Sequence, residues 1–136
     1  MIEPVENGST RNPETGADVM QFSLIIYQTP EAFAKANNPA HAADYTAGWS
    51  AYAAALTEAG ALAGGTGLEA PDTATTIRFG SDGPQVQDGP FADTKEQLGG
   101  FFNINVSNLD AAMKWAARAP LKYGGSVEVR PVLQHP

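Results

Sequence analysis

Apolar and polar positions begin to alternate at Met20. Met20, Phe22, Leu24 and Ile26 fall on one side of an extended chain, and Gln21, Ser23, Ile25 and Tyr27 on the other, which predicts a first strand. After Thr29-Pro30 the pattern lapses into what reads as a variable loop. It resumes as a helix where Asn38 offers a cap and Pro39 a first helical residue. The stripe Tyr45, Trp49, Tyr52, Ala53 and Leu56 puts the bulky groups on one face of a helix about 20 residues long. Gly60 closes it.

Residues 62 to 69 read as a glycine-rich, weaker second strand. A firmer third follows, where Thr75, Ile77 and Phe79 alternate with Thr76 and Arg78. The turn residues Ser81-Asp82-Gly83-Pro84 allow residues 85 to 87 to return as a short hairpin arm. Residues 97 to 106 form the fourth strand, with Phe102, Ile104 and Val106 on one side and Phe101, Asn103 and Asn105 on the other. Asn108 or Ser107 caps a second helix with the stripe Leu109, Ala112, Met113 and Ala116, which Pro120 stops. Val127 and Val129 then mark a last strand over residues 126 to 131.

This β-α-β-β-α-β order is the ferredoxin-like arrangement of the α+β class, an antiparallel sheet with both helices on one face. Phe22, Leu24, Ile26, Ile77, Phe79, Phe102, Ile104, Val127 and Val129 are expected beneath the helices. The opposite face would carry Tyr27, Ile25, Arg78, Phe101, Asn103, Asn105, Glu128 and Arg130. That mixture is too aromatic for plain solvent and too polar for a dry core, so it predicts contact with something. Two copies packed sheet to sheet would leave a polar-lined cavity between them.

Residues 1 to 18 show neither helical nor strand periodicity and read as a disordered N-terminal tail, leaving a single domain over 19 to 136. They lack the basic and apolar regions of a secretory signal, and no apolar run reaches the roughly 20 residues of a membrane span. A cytoplasmic location is the expectation. Net charge is -7, which disfavours nucleic acid and anionic lipid as partners. The tail carries four acids and one arginine, so much of that acidity lies outside the domain. With no cysteine and only two histidines, His41 and His135, neither thiol chemistry nor a histidine-rich metal site is expected. His41, in the first turn of a helix, reads as a surface residue.

The densest group of candidate side chains is Asp88-Gly89-Pro90-Phe91-Ala92-Asp93-Thr94-Lys95-Glu96. Carboxylates held near an ammonium can have their pKa values pushed apart, as general acid and base work requires. Asp88, Asp93, Lys95 and Glu96 are therefore the catalytic candidates. The same residues also suit a plain turn, with Phe91 as an anchor and the charges in water. Arg78 and Arg130 suit a carboxylate or phosphate, with Glu128, Tyr27 and Asn103 completing a ligand-binding set. Pairing of Glu128 with an arginine would serve the sheet alone.

The segment DGPFADTKEQLGGFF at 88 to 102, with LDAAMKWAARAP at 109 to 120 and GGSVEVRPV at 124 to 132, resembles the DGPF branch of the YCII-related (YciI-like) proteins. The likeness runs from Met20 onward, and Asp93 stands where many members have Glu. It implies a ferredoxin-like subunit assembled as a dimeric α+β barrel. The shorter YciI-type members hold a His-Asp pair in a pocket; counting back from Gly60, the histidine's position falls near Trp49, and the aspartate before the second helix's closing proline falls on Ala119, which supply neither group. The resemblance also implies a link to transcription initiation through sigma factors.

Two functions follow as expectations. One is a homodimer that binds a small anionic metabolite at its sheet face, with cofactor-free acid-base catalysis. The other is a regulatory module with a protein partner such as a sigma factor.

Overall fold

The computed structural model describes residues 9–11 and 18–134. Its centre is β2 (Asp18–Gln28), whose strict alternation buries Phe22, Leu24 and Ile26 while Ser23, Ile25 and Tyr27 stay half-buried. β6 (Gln97–Val106) pairs antiparallel along one edge of β2, and β7 (Gly125–Pro131) along the other. β3 (Leu62–Gly67) joins the far side of β6. The resulting order, β7-β2-β6-β3, is compatible with a ferredoxin-like α+β fold. The tail expected over residues 1 to 18 lies almost wholly outside the described residues. Within it, β1 (Ser9–Arg11) pairs antiparallel with Asp18 to Met20.

Among the described residues three α-helices accompany the sheet. α1 (Pro30–Asn37) occupies the stretch expected to be a loop. Thr29 caps it by accepting from the Ala32 amide at 3.2 Å, and Pro30 supplies the first-turn residue. The Asn38-Pro39 signal instead makes a turn, Asn38 accepting from the Ala40 amide at 2.9 Å. α2 (Ala42–Glu58) starts after it and closes at Gly60, whose φ of +71° and whose Ala61-to-Leu56 backbone bond mark a left-handed cap. α3 (Leu109–Ala116) is capped by Asn108, whose side chain accepts from Ala111 at 2.9 Å.

α2 and α3 cover one sheet face. The core joins Phe22, Leu24, Ile104 and Val106 of the sheet to Tyr52 and Leu56 of α2, Ala61, and Ala112 of α3. Tyr52 stands edge-on to Trp49, Phe102 and Trp115, with ring centroids 5.9, 5.5 and 6.2 Å away. Its hydroxyl donates to the Trp115 carbonyl at 2.6 Å, and burial pushes the phenol up to about 12.

The expectation for the third strand is also corrected. β4 (Thr75–Gly80) and β5 (Gly83–Asp88) form a separate two-stranded hairpin and take no place in the main sheet. Ile77 and Phe79 are not beneath the helices; they are 55% and 82% exposed. The glycine-rich β3 takes the sheet position instead, because it can lie close against β6. A Cβ on Gly65 would stand 2.9 Å from the Phe102 Cα.

Candidate functional site

On the sheet face away from the helices, the register arranges the side chains in rows across three strands. Ser23 lies opposite Asn103 on β6 and Arg130 on β7; Ile25 lies opposite Phe101 and Glu128; Tyr27 lies opposite Leu98 and Ser126. Directly opposed residues are near enough to act together. Four expected binding residues, Tyr27, Asn103, Glu128 and Arg130, therefore share one patch. The sequence reading missed Ser23 and Ser126, which became visible only once the strands stood in register.

The patch is held by polar contacts. Tyr27 donates to Glu128 Oε1 at 3.1 Å, and Arg130 Nε donates to Glu128 Oε2 at 2.9 Å. These two bonds, the Arg130 bond being the stronger influence, hold the Glu128 carboxyl below its usual range. The bond to Glu128 likewise raises the Tyr27 phenol, so Tyr27 remains a donor. Ser126 donates to Glu96 Oε1 at 2.6 Å, bringing one catalytic candidate to the patch. Tyr27 and Glu96 also line a cavity of about 730 Å³ between the sheet face, the 68–76 segment and the 90–98 segment.

The other candidates are placed elsewhere. Arg78 is on the hairpin and not on the sheet face with Arg130. Its Nε donates to Gln87 at 2.9 Å, its Nη2 donates to the Phe91 carbonyl at 2.8 Å, and its guanidinium lies over the Phe91 ring. Asp88 ends β5; Asp93 and Lys95 stand exposed on the connection to β6. Phe91 is 73% exposed and anchors nothing in the core. Among the described residues no group of three or more His, Cys, Asp or Glu is placed to hold a metal ion, and no helix is long and apolar enough to cross a membrane.

A second concavity, about 320 Å³, opens on the helix-covered side between α2 and the β3–β6 edge. Its polar centre is Gln28, the buried polar residue at the end of β2, whose Nε2 donates to the Tyr45 hydroxyl. Period two places Gln28 inward with Phe22, Leu24 and Ile26, but no charge marks it as a polar centre. The clue was Gly99-Gly100, where β6 bulges opposite Ile26 and Tyr27. A Cβ on Gly99 would fall 2.8 Å from the Gln28 Cδ.

An antiparallel sheet of this order with its helices is compatible with the ferredoxin-like α+β class, and sequence comparison narrows it. The chain belongs to the YCII-related family: the model of the YCII-related domain matches residues 20–135. A protein of Rhizobium meliloti (strain 1021), named "Uncharacterized protein R00369", is 42% identical over 77 residues, covering 55% of this chain and 62% of that relative. The chain thus matches less than two thirds of that relative's length.

Proposed function

We propose that the protein works as a homodimer whose sheets meet open face to open face and enclose a site for a small anionic metabolite. The observation that carries this reading is the row Asn103, Ser23, Arg130 across three adjacent strands. An amide, a hydroxyl and a guanidinium side by side offer donors for a carboxylate or phosphate. Glu128 engages Arg130 through Nε, leaving the terminal guanidinium nitrogens for the ligand. Ile25 and Phe101 in the next row give the apolar contact that a second copy would cover.

Proton handling in this proposal falls to Glu96, which reaches the patch through Ser126 and lines the cavity with Tyr27. Asp88, Asp93 and Lys95 lie outside the lining of that cavity and are assigned no proton transfer. No cofactor enters the scheme.

The test is a thermal-shift screen of small carboxylates and phosphates. A ligand present at a hundred times its Kd adds about 2.7 kcal/mol of stability. At least one anion should stabilise the parent, and Arg130→Ala or Asn103→Ala should abolish the shift while keeping the unliganded Tm. An equal shift in parent and Arg130→Ala would refute the assignment, as would no shift with any anion.

The hairpin favours a second reading, a regulatory module with a protein partner such as a sigma factor. Ile77 and Val86 face each other beside Phe79, and all three are exposed. Capture of a sigma factor by the parent, lost with Phe79→Ser, would support it.

A further inference from the structure

The cleft beneath α2 differs in chemistry from the open face. Its lining includes Gln28, Tyr45, Trp49, Ser50 and Phe102, and among the described residues no Asp, Glu, Lys, Arg or His contributes to it. A charged ligand entering it would lose water and gain no counter-charge. The rings of Trp49 and Phe102 lie within 15° of parallel at 6.1 Å, which presents flat apolar surface to a flat ligand.

Gln28 is 4% exposed, an unusual cost for an amide unless its polar atoms are used. Its side chain and the Tyr45 hydroxyl hydrogen-bond to each other. Whichever way the amide is turned, the pair retains at least one further donor and one further acceptor. Gly99 maintains this arrangement, since any side chain there would displace the Gln28 amide. A few converging polar groups in a largely apolar hollow of about 320 Å³ are the features of a small-molecule site.

We propose that this cleft binds a small, uncharged, planar molecule of the aromatic amide or lactam class. The ring packs against Trp49 and Phe102, and the amide pairs with Gln28 and Tyr45. This site is separate from the open-face site and does not depend on it.

The experiment is a two-dimensional NMR titration of the full chain with benzamide, benzoate and benzylamine, following the Gln28 side-chain amide and the Trp49 indole N–H. Benzamide should shift both signals saturably, and the two charged analogues should bind at least ten-fold more weakly. Tyr45→Phe and Gln28→Leu, each with its backbone spectrum otherwise preserved, should weaken benzamide at least ten-fold. Binding of benzoate or benzylamine as tight as benzamide would overturn the proposal. So would the absence of saturable shifts with benzamide, or undiminished benzamide binding by Tyr45→Phe.

Discussion

The phenolic hydroxyl of Tyr27 donates to Oε1 of Glu128 at 3.1 Å, linking β2 to β7 beside the row that holds Arg130. Because Arg130 donates to the other carboxylate oxygen, Glu128 is ionised between two donors. Its folded pKa is lowered, so its contribution is present above the ordinary carboxylate range and is lost as pH falls through the folded value. Arg130→Ala should raise the Glu128 pKa most and Tyr27→Phe less, as read by NMR of the side-chain carboxyl. Equal pKa values in parent and Arg130→Ala would show that the pair is not formed in solution.

Tyr52 sets a limit at the alkaline end. Its phenol is raised to about 12 by burial, so stability is retained below the ordinary phenol value near 10 and falls as pH climbs from there towards 12. The loss over that window is on the order of 2 kcal/mol from this group. Tyr52→Phe removes that part of the slope. It also removes one of the two donors to the Trp115 carbonyl, the Arg118 amide remaining at 3.0 Å, and so costs about 1 kcal/mol at neutral pH. Urea unfolding at pH 7 and pH 11 checks both effects, and an unchanged slope in Tyr52→Phe would contradict the assignment.

Gly99 is constrained by a side chain and not by its own backbone. Gly99→Ala should destabilise by about 1–3 kcal/mol through overpacking on Gln28. Adding Gln28→Ala should return part of that loss, since the amide that obstructs the new methyl is gone. A double variant whose loss equals the sum of the single losses in urea unfolding would show that the two sites do not touch.

The hairpin face tests the assembly independently of the sheet. Phe79 is 82% exposed, so Phe79→Ser should alter the stability of the isolated chain by no more than about 0.5 kcal/mol. If the second copy covers this face, the dimer dissociation constant should rise at least ten-fold. Sedimentation equilibrium reads it, and an unchanged constant would remove the hairpin from the interface.

Strands with strict alternation were legible from their residues: β2, β6 and β7 lie where the pattern placed them, with the expected set of apolar residues inward. Alternation reveals a strand but not its sheet, which is why Ile77 and Phe79 read as core and belong to an exposed hairpin. Thr29-Pro30 and Asn38-Pro39 carry the same cap-and-proline signal, and only tertiary packing decides which begins a helix. Tyr27, Asn103, Glu128 and Arg130 were legible as one face because period two is local. Arg78 was not separable from them, because its face depended on a strand pairing that does not form. Alternation places Gln28 inward but not in a cleft, since the room for its amide comes from the missing side chain of Gly99, 71 residues away.

Size-exclusion chromatography with light scattering, on the parent and on Ile25→Glu, tests the open face as the working surface most directly. Ile25 sits at the centre of that face, between Phe101 and Glu128. The account predicts that the parent runs at twice the 14.2 kDa chain mass and that Ile25→Glu, with an unchanged far-ultraviolet circular dichroism spectrum, runs at 14.2 kDa. A parent at 14.2 kDa, or an Ile25→Glu variant that remains at twice that mass, would contradict it.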